Sequence, residues 1–293
     1  MNDSKIDQPR VTVYIPTYNR VKLLQRAVES VLNQDYKNIE LIVTDDRSTD
    51  DTADYLMKIS KVDTRVKYFI NKENSGACVS RNKAIFTANG EFITGLDDDD
   101  FFLPNRISDF IISWDKAPKD CIALYSNSIV KNSNDSYLPI KRIRSCTYKD
   151  LICCNFIGNQ IFTKTDYLKQ IGGFDDNLSA WQDFECWYRL LSFYDLKAYL
   201  SSSHTYVVDV SHPHERITIK HAKTIMSAYE YLCQKHKLTT NQRKILEMQL
   251  TPYTKAIPKL SSILRSLAFV PQLYNIRTTL SVTYNSFKRK INS

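Results

Sequence analysis

Short apolar runs alternate along the first half of the chain with stretches whose apolar residues recur every three or four positions. The runs have the length of buried strands, and the recurrences have the period of helices. Residues 10–16 (Arg-Val-Thr-Val-Tyr-Ile-Pro) read as a first strand stopped by proline. Leu23, Leu24, Ala27, Val28, Val31 and Leu32 then mark one face of a helix over 21–32. A second strand over 39–44 ends at Asp45-Asp46, and Ser48-Thr49-Asp50-Asp51 caps a helix running to about Ile59. A third strand covers 66–70, a helix 78–87 and a fourth strand 92–96, and Pro104 opens another helix. Strands alternating with helices predict a parallel, doubly wound α/β sheet.

Beyond that point the pattern is less regular. Residues 121–126 read as a strand and 128–150 as polar, irregular chain. Residues 158–162 continue the sheet as its mixed part, and Gly172-Gly173-Phe174-Asp175 forms a turn. A helix over 181–193 has Asp183 in its first turn, and 199–210 is extended. From Ile219 onward the period is helical, with Ile225, Met226, Tyr229, Leu232 and Cys233 on one face and Leu260, Ile263, Leu264 and Leu267 on another.

In such a sheet ligands bind outside the carboxyl ends of the strands. Three polar clusters fall there: Thr17 with Asn19, Asp45 with Asp46, and the four aspartates Asp97 to Asp100. All three should face one crevice. Adjacent carboxylates at a strand end repel one another unless a cation sits among them. Mg²⁺ or Mn²⁺, hard ions that take oxygen ligands and bridge to diphosphates, fit that requirement. The alternative is a solvated acidic loop. Phe101-Phe102-Leu103-Pro104 follows directly, which a freely solvated loop would not favour.

Composition narrows the class. With 43% hydrophobic and 25% charged residues, the 293-residue chain is an ordinary globular sequence. No apolar run is long enough for a transmembrane helix, and Met1 to Lys5 lacks the apolar core of a signal peptide. The seven cysteines form no C-x-x-C pair and read as free thiols of a reducing compartment. The net charge of +8 is unevenly placed. From Ile219 to the end there are 13 Lys/Arg and 2 acids, whereas residues 1–218 hold 27 and 30. A near-neutral body with a basic terminal segment points to an anionic surface. No motif favours nucleic acid, and a membrane surface is the expected partner.

Five motifs, in order, resemble the family 2 glycosyltransferases with the GT-A fold. They are Ile15-Pro16-Thr17-Tyr18-Asn19-Arg20; Val43-Thr44-Asp45-Asp46-Arg47-Ser48-Thr49-Asp50; Asn74-Ser75-Gly76 with Arg81-Asn82; Leu96 to Asp100 followed by Pro104; and Gly172-Gly173-Phe174-Asp175 with Trp181-Gln182-Asp183-Phe184-Glu185. The resemblance covers roughly residues 10–218. It implies a tail over 1–9, a catalytic GT-A domain over 10–218 and a basic, amphipathic helical extension over 219–293.

The resemblance also implies roles. Pro16, Thr17 and Tyr18, with Asn19 and Arg20, would line the nucleoside pocket. Asp46 or its neighbour Asp45 would accept a hydrogen bond from uracil. Asn74, Gly76 and Arg81 would lie along the donor, with Arg81 over the diphosphate. Asp97 and Asp98 would contact ribose or donor sugar, and Asp99, with Asp97, would ligate Mn²⁺ or Mg²⁺. The roles among the four aspartates stay open, as does the choice between His212 and His214 for the diphosphate or metal. Asp183 matches the catalytic base, and Trp181, Gln182 and Glu185 would lie on the acceptor side. Two positions depart from the family: Gln182 replaces the usual acidic neighbour of the base, and Arg47 stands where glycine is common. Loss of a neighbouring negative charge predicts a lowered pKa for Asp183.

The activity implied is metal-dependent, inverting transfer of one sugar from a UDP-sugar to a lipid-linked saccharide in bacterial surface-polysaccharide synthesis. It would take place on the cytoplasmic face of the membrane. Processive members carry transmembrane helices and a Q-x-x-R-W motif, and this sequence has neither.

Overall fold

The structure is a computed structural model and describes residues 8–134, 136–140, 142–201, 203–212, 222–254 and 260–269. Its first half is β1 (Val11–Thr17), α1 (Val21–Leu32), β2 (Ile39–Asp45), α2 (Thr52–Val62), β3 (Val66–Ile70), α3 (Ala77–Thr87) and β4 (Phe92–Gly95). Next come β5 (Phe101–Phe102), α4 (Arg106–Asp115), β6 (Cys121–Tyr125), β7 (Ser128–Lys131), β8 (Tyr137–Ile140), β9 (Ser145–Cys146) and α5 (Tyr148–Cys153). Then follow β10 (Phe162–Lys164), α6 (Thr165–Gln170), α7 (Gln182–Tyr194), β11 (Lys197–Leu200) and β12 (Tyr206–Asp209). The described part closes with α8 (Ala222–Lys235), α9 (Thr240–Leu246), a 3₁₀ turn over Glu247–Leu250, α10 (Thr251–Thr254) and α11 (Leu260–Phe269).

The larger sheet has the order β3-β2-β1-β4-β10-β6-β11-β9. β3, β2, β1 and β4 run parallel, and β10 is antiparallel to both β4 and β6, which gives the expected mixed sheet. β1 and β2 are buried along their whole length, as strands covered by helices on both faces must be. Alternate side chains enter different layers. Val11, Val13 and Ile15 pack in the layer with Leu24 and Val28 of α1 and Phe110 of α4. Tyr14 and Ile42 pack in the other, with Ile85 of α3 and Trp187 of α7. Glu40, a buried acid of β2, accepts from Thr12 Oγ1 at 2.8 Å, Asn89 N at 2.9 Å and Lys67 Nζ at 2.6 Å.

Residues 128–150 are not irregular. They form β7, β8, β9 and α5, and a second sheet has the order β5-β12-β7-β8. The strands escape the periodicity because β8 has no buried face and contains Pro139. The helix escapes because it has six residues, started by a capping box between Thr147 and Asp150. The segment 199–210 is likewise divided between two sheets, β11 in the larger and β12 in the smaller.

Candidate active site

A cleft of ≈ 660 Å³ opens over the carboxyl ends of β1, β2 and β4 and the amino ends of α3 and α7. Pro16, Thr17, Tyr18, Arg20, Asp46, Asn74, Gly76 and Arg81 line one side, with Asp97 to Asp100 at its floor. Trp181, Gln182 and Asp183 line the other side, together with Arg142, Asn155, Gln249 and Tyr253.

The expectation that all three polar clusters face the crevice holds for Thr17, Asp46 and the four aspartates. Asn19 and Asp45 are instead loop braces. Asp45 Oδ1 accepts from Ser48 N at 3.0 Å and Ser48 Oγ at 2.5 Å. Asn19, in the left-handed region at φ 53, accepts from Thr49 N at 2.7 Å and donates its own N–H to Ser48 Oγ at 2.8 Å. Together they pin the β1–α1 loop to the β2–α2 loop. Arg47 takes φ 69, the conformation that explains a preference for glycine at this position. Asp46 is also heavily engaged. It accepts from Ser75 N at 2.8 Å, Asn71 Nδ2 at 2.8 Å and Gly76 N at 2.7 Å, closing the loop before α3 against β2.

The four aspartates gather in two pairs: Arg20 reaches both Asp98 and Asp99, and Asn159 reaches both Asp97 and Asp100. Asp97 accepts from Arg81 Nη2 at 3.0 Å, Asn159 Nδ2 at 2.9 Å and Gln160 Nε2 at 3.1 Å. Asp98 accepts from Thr17 Oγ1 at 2.8 Å and Arg20 Nη1 at 3.1 Å. Burial pushes the Asp98 carboxyl up to about 6 against the pull of Arg20. Asp99 Oδ2 lies 3.3 Å from Arg20 Nη1 and 3.5 Å from His212 Nε2. Asp100 accepts from Tyr206 Oη at 2.8 Å and Asp209 N at 3.0 Å. Mutual repulsion is therefore relieved by arginines and tyrosine. Gly95 makes this packing feasible, since a Cβ there would lie 1.9 Å from Gln160 Oε1 and 2.5 Å from the Tyr14 ring.

Arg81 joins the two sides of the cleft. One guanidinium nitrogen donates to Asp97 and the other to Gln182 Oε1 at 2.8 Å. Burial would lower its pKa, but Asp97 together with Tyr14 and Cys78 outweighs it and the pKa is raised. Gln182 opens α7 beside Asp183. Asp183 Oδ2 accepts from Asn155 Nδ2 at 3.3 Å. Its pKa is raised, not lowered: burial is the largest cause, and Arg81 offsets it only in part. The missing acidic neighbour counts for less than desolvation. Trp181, at φ 57, is forced into a left-handed turn that starts the helix and puts its indole in the cleft wall.

Glu185 is not on the acceptor side. It is fully buried, with Arg189 Nη2 at 2.8 Å, Lys235 Nζ at 2.7 Å and His236 Nε2 at 3.1 Å. Residues two apart on a helix point to opposite sides. Asp183 therefore faces the cleft while Glu185 anchors α7 to α8. His212 stands beside the aspartates, and His214 lies outside the described residues. Among the described residues no group of three or more His, Cys, Asp or Glu side chains is gathered as a complete metal-ligand set.

The sequence reading missed Asn155, Asn159, Arg142 and Tyr206 as site residues. Asn155 and Asn159 flank Gly158 in a polar loop entering a strand, the one local signal that was available. Arg142 and Tyr206 arrive from segments whose strand pairing was not visible.

The sequence profile described as Glycosyl transferase family 2 matches residues 12–171. The chain is a family 2 glycosyltransferase. It is 35% identical over 237 residues to WcaA of Escherichia coli K12, named for colanic acid biosynthesis, covering 79% of this chain and 82% of that protein. It is 33% identical over 165 residues to a Campylobacter jejuni GalNAc(5)-diNAcBac-PP-undecaprenol beta-1,3-glucosyltransferase, covering 54% of this chain and 52% of that one. The glycosyltransferase also shares its fold with Staphylococcus aureus TarS 1–349 in complex with UDP-GlcNAc. The TM-score is 0.66 at 17% identity, over 95% of this chain and 89% of that one. The Pyrobaculum calidifontis mannosyltransferase PcManGT, solved with GDP-Man and Mn²⁺, aligns with a TM-score of 0.59 at 19% identity, over 94% and 74%. The mixed sheet is thus that of a GT-A fold.

Proposed function

We propose that this glycosyltransferase moves one sugar from a UDP-sugar to a lipid-linked saccharide, with inversion at the anomeric carbon, in bacterial surface-polysaccharide synthesis. The observation that carries the reading is the bridge Asp97–Arg81–Gln182, which sets a phosphate-matching guanidinium between the aspartate floor and the Asp183 wall. The Campylobacter relative's undecaprenol-linked acceptor and the UDP-GlcNAc bound by TarS support the choice of substrates. In this reading residues 10–218 are the catalytic domain and 219–293 a basic helical extension that meets the membrane's cytoplasmic face.

Pro16, Thr17 and Tyr18 hold the nucleoside, with Asp46 at the base. The acceptor hydroxyl enters beside Asp183. Its oxygen forms the new bond to the anomeric carbon as the bond from that carbon to the diphosphate oxygen breaks. Asp183 Oδ takes the proton, and UDP leaves from the opposite face. Asn155 keeps the carboxylate turned toward the acceptor, and Arg81 shares its charge between Asp97 and the diphosphate. Asp99 and His212, 3.5 Å apart, would be among the donors for a divalent ion. A carboxylate with an imidazole suits Mn²⁺, or Mg²⁺ with more oxygen ligands. When bound, the ion neutralises charge on the leaving diphosphate.

A donor screen tests this. UDP-glucose, UDP-galactose and their N-acetylated forms are offered with a GlcNAc- or GalNAc-diphosphate-lipid analogue, and the product linkage is read by NMR. A β product from an α-linked donor is expected. Binding of UDP-sugars with no transfer to any acceptor would leave a sugar-nucleotide-binding protein instead.

A further inference from the structure

The smaller sheet leaves one edge uncovered. Every residue of β8 is exposed, with Tyr137 at 53%, Leu138 at 58% and Ile140 at 38%. A strand of a soluble sheet ordinarily buries alternate side chains, and β8 buries neither set. The paired register puts Val208, Val130 and Leu138 in one row across β12, β7 and β8, with Tyr206, Ser128 and Ile140 in the next row on the same face. That face belongs to the active site. Tyr206 holds Asp100, and Val208 lines the cleft. An apolar row therefore starts at the cleft wall and ends at the open edge, two strand spacings or about 10 Å away. Val210, 43% exposed, donates its N–H to Lys131 O at 2.8 Å and widens the apolar end.

Charge identifies what covers this edge. Residues 131–149 carry five Lys/Arg and one acid. Arg142 follows β8 and lines the cleft. Pro139 removes an N–H donor from the edge, which disfavours strand pairing with a second copy. Exposed aliphatic and tyrosine side chains flanked by lysine and arginine match the headgroup boundary of an anionic bilayer.

We propose that the β7–β8 hairpin is a membrane-contact ledge. It enters an anionic bilayer edge-on, with Tyr137, Leu138 and Ile140 at the acyl boundary and Lys131 and the exposed Arg144 at headgroup phosphates. The row Leu138–Val130–Val208 then leads from the lipid to the cleft. The proposal rests on the lipid-linked acceptor reading above.

The test is co-sedimentation of the full chain, wild type and Leu138→Asp/Ile140→Asp, with phosphatidylcholine vesicles with and without phosphatidylglycerol. The variant is expected to bind anionic vesicles about tenfold more weakly or worse. Transfer to a short, water-soluble diphosphate acceptor should be unchanged, and transfer to a long-chain acceptor in vesicles should fall. In the wild type, amide exchange at 137–140 should slow when anionic vesicles are added, a readout that needs no variant. Equal binding by wild type and variant, or no protection at 137–140, overturns the ledge. A wild-type dimer in the absence of lipid that the variant dissolves overturns it in favour of a second copy. Wild type that binds vesicles through β8 but transfers to neither acceptor leaves the ledge standing and sinks the lipid-linked acceptor reading instead.

Discussion

Burial raises the Asp183 pKa above its ordinary value, so the folded state holds this proton more tightly than the unfolded chain does. Below the unfolded value of about 3.9 both states are protonated and nothing is gained or lost. As pH rises through that value the unfolded state ionises first, and stability falls until the folded group ionises too. Asp183→Asn should therefore match wild type in acid and exceed it at neutral pH, as read from thermal denaturation across the pH range. A variant that is less stable than wild type at neutral pH would contradict the assignment. At the floor, Asp99→Ala should abolish metal-supported transfer, and Asp97→Ala should be nearly as severe because it also releases Arg81. Activity with and without EDTA checks this, and full turnover in a metal-free preparation would remove the ion from the account. Most of these residues were legible as strand-end polar groups. Asn19 and Asp45 were misplaced because a carboxylate or amide that braces a loop looks the same in sequence as one that faces a ligand.

At the scale of elements, β1, α1, β2 and β4 follow directly from apolar spacing, because each is covered on the faces its period predicts. α1 begins and ends where its stripe does. The hairpin β7–β8 was illegible for the converse reason: no face of β8 is buried, so no period marks it. Helix α7 carries the next prediction. Its period puts Asp183 and Glu185 on opposite sides, and Glu185 is held by Arg189, Lys235 and His236. Although burial pushes the Glu185 carboxyl up, these partners hold its pKa well below the usual range. Its stabilising contribution is then full above the unfolded value of about 4.3 and lost progressively as pH falls below it. Glu185→Gln should cost about 1–3 kcal/mol in urea unfolding at neutral pH. That penalty should shrink in acid, while UDP binding survives. A variant that loses UDP binding but keeps its stability would return Glu185 to the cleft.

Across the whole molecule, helices from two parts of the chain meet at one cleft. Ile225 of α8, Gln249 of the 3₁₀ turn and Tyr253 of α10 line the same cleft as Asp46, Arg81 and Asp183. No described helix is long and apolar enough to cross a membrane. The membrane contact proposed above would then rest on exposed edges and on charge. Residues 270–293 add Arg277, Lys288, Arg289 and Lys290, worth roughly 1 kcal/mol each beside anionic lipid. Deleting 270–293 should weaken binding to anionic vesicles, with the difference vanishing at high salt, and leave transfer to a soluble acceptor unchanged. Equal partitioning of full-length and shortened chains would remove the tail from membrane contact. The central claim is that this cleft transfers a sugar with Asp183 as base. It is tested most directly by acceptor-dependent UDP release from wild type and Asp183→Asn at equal, saturating UDP-sugar and Mn²⁺. The account predicts that the variant binds UDP as wild type does and turns over ~10² to 10⁴ more slowly. Near-wild-type turnover by the variant would contradict it.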